Sequence, residues 1–184
     1  MREIEVKARL KDMTLVIDRL TGAEVAVSDP VTQRDQVFGL IGQDGSGDNQ
    51  HPWLRLRTET KNNTTIHIFT LKKSVTSQLD SIEHETIVDD PAELVEIIAQ
   101  LGFEAYSDLT KTRRKAKIGS IELCLDTVEG LGNFIEAEQL TDDAADYDAI
   151  SQGLWRLLEK YGVSRMDEVT DGYDTLERRQ RGLE

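Results

Sequence analysis

Charged and apolar side chains alternate strictly along residues 3–10, Glu-Ile-Glu-Val-Lys-Ala-Arg-Leu. A period of two predicts a strand, and at ~3.4 Å per residue this one spans roughly 27 Å. Residues 24–38 carry β-type side chains, interrupted by Asp29-Pro30. Further strand patterns cover 53–60, 64–73, 80–88, 107–117, 120–127 and 132–140. Lys61-Asn62-Asn63, Ile118-Gly119-Ser120 and Glu129-Gly130-Leu131 read as turns between them. The period changes in four places. Residues 12–21 open on Asp12 as N-cap, present Leu15, Val16 and Leu20 at helical spacing, and stop at Gly22. Asp90-Pro91 opens a second helix, with Glu93 at its third position, a stripe of Leu94, Ile97, Ile98 and Leu101, and Gly102 as its stop. Residues 143–161 place Leu154, Leu157, Leu158 and Tyr161 on one side, and 167–180 read as a short charged helix. Gly39 to Gln50 reads as a loop; its Gly42-Gln43-Asp44-Gly45-Ser46-Gly47 lacks the Gly-Lys-Ser/Thr ending of a phosphate loop. About eight sequential strands joined by short turns predict an α+β chain with an antiparallel meander or barrel, in one domain over 1–184.

Composition narrows the function. A formal charge of −13 opposes nucleic-acid polymers and anionic membranes. It leaves room for a small phosphate ligand at a local basic cluster. Cys124 is the single cysteine, so no internal disulfide forms, which fits a reducing compartment. The first residues have no signal-peptide pattern, and no apolar run approaches the ~20 residues of a membrane helix. The expectation is a cytoplasmic protein, and the sequence leaves a homodimer open.

The strands carry their charges two apart, hence on one face. Glu3, Glu5, Lys7 and Arg9 share the first strand; Arg55 and Arg57, Glu83 and Glu85, Lys111, Arg113 and Lys115, and Glu136 and Glu138 follow, with Lys72 and Asp126 on two others. Strand by strand, the simpler reading is a solvated face with cross-strand ion pairs. Collectively the pattern differs, because same-sign pairs on separate strands ask for a ligand of opposite sign. Arginine and lysine clusters suit polyphosphate oxygens. Carboxylate pairs suit a hard divalent cation. A barrel closed with this face inward brings both together, and amphipathic helices can cover its apolar outside.

Glu3-Ile4-Glu5-Val6-Lys7 resembles the Glu-x-Glu-x-Lys motif that opens proteins of the CYTH, or triphosphate tunnel, family. In order after it, Leu54-Arg55-Leu56-Arg57, Phe69-Thr70-Leu71-Lys72, Glu83-His84-Glu85, Lys111-Thr112-Arg113 and the segment from Asp126 to Glu138 resemble that family's later strands. Gln33-Arg34-Asp35 is similar to its second strand, and Gly172-Tyr173-Asp174 is a looser echo. Ser81 departs from the pattern, since an arginine often precedes the Glu-x-Glu pair. The resemblance implies a closed eight-stranded antiparallel β-barrel over about 1–140, flanked by helices, with C-terminal helices over about 143–180. It implies that Lys7, Arg55, Arg57, Lys72, Lys111 and Arg113 hold phosphate oxygens. It implies a Mg²⁺ or Mn²⁺ cofactor on Glu3, Glu5, Glu136 and Glu138, with Glu83, Glu85 and Asp126 as further acids. Glu5, Lys7, Arg57 and Lys111 are the expected catalytic residues.

Other chemistry is weaker. His51, His67 and His84 lack metal spacing, and His84 alternates away from its acidic neighbours. Cys124 shares a face with Asp126 without any sign of a nucleophile. Trp53 reads as packing, with base stacking as the alternative. The implied partner is a small triphosphate. The leading activity is hydrolysis of tripolyphosphate, thiamine triphosphate or a nucleoside triphosphate. The alternatives are a class IV adenylyl cyclase, which makes cyclic AMP and pyrophosphate from ATP, and a non-catalytic polyphosphate-binding module.

Overall fold

A computed structural model describes residues 1–41 and 51–183. The strands are β1 (Arg2–Leu10), β2 (Val31–Leu40), β3 (Trp53–Lys61), β4 (Thr64–Ser77), β5 (Asp80–Ile87), β6 (Phe103–Ile118), β7 (Ile121–Val128), β8 (Gly132–Thr141) and the short β9 (Glu168–Val169). The helices are α1 (Met13–Gly22), α2 (Pro91–Gln100), α3 (Tyr147–Lys160) and α4 (Tyr173–Gln180). All strand pairs are antiparallel, in the order β5-β4-β3-β2-β6-β7-β8-β1, and β5 pairs back onto β1. Eight strands therefore close into a barrel, as the family resemblance implies.

The closing seam is short. β1 pairs along its whole length with β8, but with β5 only through Arg2–Ile4. One further bond, from Glu5 N–H to Leu79 O at 2.8 Å, continues the seam. β9 then takes over the same edge at Lys7 and Ala8. The seam is locked from outside by Arg2, whose Nε and Nη2 donate to the two Asp80 oxygens at 2.7 and 2.9 Å. Its Nη1 also donates to the carbonyls of Asp143 and Ala145, tying the loop before α3 to the barrel.

The apolar faces of the strands point outward, and helices cover them. Ile4, Val6 and Ala8 of β1 pack with Leu123, Leu125, Ile135 and Ala137 against Val16 and Leu20 of α1 and Leu154, Trp155 and Leu158 of α3. β5 and β6 are not neighbours, so their link must cross the outside of the barrel. α2 makes that crossing, laying Leu94, Val95 and Ile98 over Phe38, Leu54, Leu56, Phe69 and Leu71. The caps follow the sequence: Asp12 accepts from Leu15 N–H and Asp90 from Glu93 N–H.

Several boundaries differ from the sequence reading. The second strand starts at Val31, because Pro30 has no N–H for a ladder. Upstream only one bridge forms, Val27 to Ala116. Gly39 and Leu40 finish β2 rather than opening the loop; the Gly42–Gly47 segment lies outside the described residues. β6 begins at Phe103, directly after Gly102 turns the chain at φ 88°. The expected helix over 167–180 divides into β9 and α4, since Gly172 is extended. No helix among the described residues is long and apolar enough to cross a membrane.

Asp80 is fully buried, and Arg2 nearly so. Replacing Asp80 by Ala strands a buried guanidinium, and thermal or urea unfolding should show a loss of about 3–5 kcal/mol. The Arg34–Asp108 pair is half exposed, at 53% and 46%. Arg34→Ala should therefore change stability by less than about 1 kcal/mol.

Candidate functional site: a charged cavity inside the barrel

Alternation along each strand sends the charged set inward, where it surrounds a cavity of about 430 Å³. Glu3, Glu5, Lys7, Arg55, Arg57, Lys72, Glu83, Glu85, Lys111, Arg113, Glu136 and Glu138 all line it. The two signs are separated. The arginines and lysines are concentrated on the arc β4-β3-β2-β6, while β5, β1 and β8 carry the glutamates, with Lys7 among them.

Two expected residues stand apart. Asp126 is completely buried behind the wall, where Lys111 Nζ at 3.1 Å and Arg113 Nε at 2.7 Å take its oxygens. It orients two cations and does not face the cavity. Arg9 leaves the inward row; it donates to Leu131 O at 2.9 Å and lies over the Phe134 ring.

The basic arc is held by carboxylates. Arg57 forms a two-pronged pair with Asp35, both bonds at 2.7 Å. Burial pushes the Asp35 carboxyl up, but Arg57 outweighs it and holds the group far below its ordinary value. Arg113 bridges Asp126 and Glu136. Burial opposes the Glu136 charge; Arg113 and Lys7 keep it ionised well below the usual range. Lys72 pairs with Glu83 at 2.7 Å. Burial raises Glu83, yet Lys72 and Arg55 bring it down to about 2. Arg55 reaches Glu85 at 3.2 Å, and its buried Nε donates to nothing.

The acidic arc is not compensated in the same way. Carboxylate oxygens of Glu3, Glu5 and Glu138 lie within 4.8 Å of one another. Burial, only partly offset by Lys72 and reinforced by Glu83 and Glu5, raises Glu3 to about 7. Burial and Glu3 push Glu138 well above its ordinary value, and burial with Glu136 pushes Glu5 up. Glu5 Oε1 is buried and accepts no hydrogen bond, although Lys7 Nζ lies 3.2 Å away. Three converging carboxylates with an orphaned oxygen fit a hard divalent cation, which takes oxygen ligands. A second group, Glu122, Cys124 and Glu138, shares Glu138. Lys115 already pairs with Glu122 there, and burial holds the Cys124 thiol protonated, so that group suits such a cation less well.

Sequence reasoning missed part of the wall. Lys115 lines the cavity, and so do Tyr173 and Asp174 at the start of α4. Lys115 was visible as a member of the inward row. The α4 residues carried only a loose motif echo, because nothing local tells where a terminal helix docks. Trp53 also lines the cavity, with its ring tilted by 56° against Tyr106 at a centroid distance of 4.7 Å. It presses on Gly39 so closely that a Cβ there would meet the ring at 2.6 Å. His67 bonds Thr58, and His84 is exposed; no histidine lines the cavity.

Comparison with known proteins agrees with this geometry. The CYTH domain family profile matches residues 1–173. A Methanocaldococcus jannaschii protein named "Putative adenylate cyclase MJ0240" is 26% identical over 94% of this chain and 97% of its own. The PH1819 protein of Pyrococcus horikoshii superposes with a TM-score of 0.84 at 23% identity, covering 97% of this chain and 99% of that one. A Hippeastrum protein, described as a putative adenylyl cyclase with a dominant triphosphatase activity, superposes with a TM-score of 0.60 at 17% identity, covering 99% and 96%. The profile spans the whole barrel, whose inward face carries these motifs, and the chain therefore belongs to the CYTH domain family.

Proposed function

We propose that this chain is a divalent-cation-dependent triphosphatase acting on a small triphosphate bound inside the barrel. The observation that carries the reading is the split cavity: a basic arc faced by three converging glutamates that Lys7 and Lys72 only partly neutralise. Arg55, Arg57, Lys72, Lys111 and Arg113 would bind the phosphate oxygens, and the carboxylates now paired with them would be released in exchange. Phosphoryl transfer needs positioning and charge stabilisation above all, and this wall supplies both. Glu3, Glu5 and Glu138 would hold Mg²⁺ or Mn²⁺, which supplies charge neutralisation and a more acidic water. Glu5 would take the proton of the attacking water on the carboxylate oxygen that the cation leaves free. The bond to the leaving diphosphate breaks as the new P–O bond forms, and Lys7 and Lys111 offset the charge that develops.

A second reading is adenylyl cyclisation, favoured by the name of the M. jannaschii relative. The description of the Hippeastrum protein supports hydrolysis on the same fold. Incubation with tripolyphosphate, thiamine triphosphate and ATP, each with Mg²⁺ or Mn²⁺, separates them. Hydrolysis predicts phosphate release; cyclisation predicts cyclic AMP and pyrophosphate from ATP. Binding without turnover under either cation would instead support a non-catalytic polyphosphate module.

Two arginines should respond differently to truncation. Arg55→Ala removes a donor whose nearest charged partner, Glu85, is half exposed, so turnover should fall by about 10²-fold with little change in Tm. Arg57→Ala also strands the buried Asp35 and should cost about 3–5 kcal/mol of stability besides activity. Equal melting temperatures for both variants would contradict the pairing.

The acidic arc also makes stability depend on pH and metal. Glu3 rises from 4.5 to about 7 on folding. Between those values the folded chain keeps a proton that the unfolded chain has lost, so stability falls as pH rises through this window. Glu5 and Glu138 shift the same way. Mg²⁺ should therefore raise Tm more at pH 8 than at pH 5, and Glu3→Gln should flatten the metal-free pH dependence. A Tm indifferent to Mg²⁺ at both pH values contradicts the cation site.

A further inference from the structure

The first turn of α4 forms part of the cavity wall, and Tyr173 is buried within it. The Tyr173 ring lies beneath two ammonium groups, Lys7 Nζ at 4.3 Å and Lys111 Nζ at 4.9 Å from its centroid. These lysines come from β1 and β6, which are separated in the barrel by β7 and β8. Phe134 meets the ring edge-on at 5.0 Å and fixes its tilt. The segment is anchored independently of the lysines. Gly172 N–H donates to Gln78 Oε1 at 2.7 Å, and Gln180 Nε2 to Gly130 O at 2.9 Å.

An aromatic face attracts an ammonium without consuming its N–H donors. A carboxylate in the same position would occupy at least one of the three donors that each lysine owns. Lys111 spends one donor on Asp126, and Lys7 spends one on the Asp171 carbonyl at 3.3 Å. Lys7 also faces Glu5 and Glu136. The Tyr173 hydroxyl is buried beside Glu136 and helps to hold that carboxyl ionised, while the contacts with both lysines are made by the ring.

We infer that Tyr173 is a positioning residue whose ring holds Lys7 and Lys111 as a pair aimed at one phosphoryl group. The inference rests on the reading of the cavity as a polyphosphate site. A residue on the last helix thus sets the geometry of two strands that it does not pair with.

The test compares wild type, Tyr173→Phe and Tyr173→Leu. Tripolyphosphate affinity is measured by calorimetry in EDTA, where no metal-dependent turnover occurs, alongside Tm and the kcat and KM in Mg²⁺. Tyr173→Phe keeps the ring and should bind within about twofold of wild type. Tyr173→Leu should bind about tenfold more weakly, with KM rising more than kcat falls. Proton NMR of the wild type provides a readout that needs no variant to fold. The ε-methylene protons of Lys7 and Lys111 should be shifted upfield by the ring current. Wild-type affinity in Tyr173→Leu, or unshifted lysine methylenes, overturns the role of Tyr173 alone. A wild type that does not bind tripolyphosphate overturns the polyphosphate reading and this inference together.

Discussion

Charges buried inside a barrel must be neutralised, and that constraint shapes the rest of this molecule. Desolvating an ion costs several kcal/mol, which only close partners and hydrogen bonds return. The basic arc meets the requirement internally: Arg57 on Asp35, Arg113 on Asp126 and Glu136, Lys72 on Glu83, Arg55 on Glu85. The basic wall is thus a set of close ion pairs. Under the proposed function, an incoming polyanion would replace carboxylates already at hydrogen-bond distance, and the cations would not need to move far. The acidic arc at Glu3, Glu5 and Glu138 is left with excess negative charge, which protons or a divalent cation can relieve.

The inward charge also dictates the exterior. Strands that give one face to ions must give the other to apolar side chains, and that face needs cover. α1 and α3 cover β1, β7 and β8, while α2 covers β2, β3 and β4 on its way from β5 to β6. Most of the hydrophobic core therefore lies between barrel and helices, and a smaller cluster of Leu109, Val128, Phe134 and Tyr173 packs where α4 meets the barrel. This separation lets the cavity stay polar while apolar burial outside supports the fold.

Much of this was legible in the sequence, for a specific reason. A strand states its faces through alternation, so Glu3-Ile4-Glu5-Val6-Lys7 declares which residues travel together. It does not state which face is inside. Any one strand read alone suggests a solvated sheet, and only the ordered series of motifs turned the charges inward. What stayed hidden depends on distant contacts. Asp126 alternates like a cavity residue, yet Lys111 and Arg113 seal it behind the wall. The division of 167–180 into β9 and α4 follows from an edge of β1 that β5 leaves open. Tyr173 becomes part of the site only because α4 docks at the end of the barrel, which its own charged sequence does not announce.

The central claim is that opposed strands direct their ionic side chains into one cavity that takes a polyanion on one side and a metal on the other. A crystal structure of the protein with Mn²⁺ and tripolyphosphate tests it most directly. The account predicts an anomalous manganese peak among Glu3, Glu5 and Glu138, with phosphate density against Arg55, Arg57 and Lys111. Manganese and anion bound elsewhere, or Glu3, Arg57 and Glu136 turned out to bulk water, would contradict it.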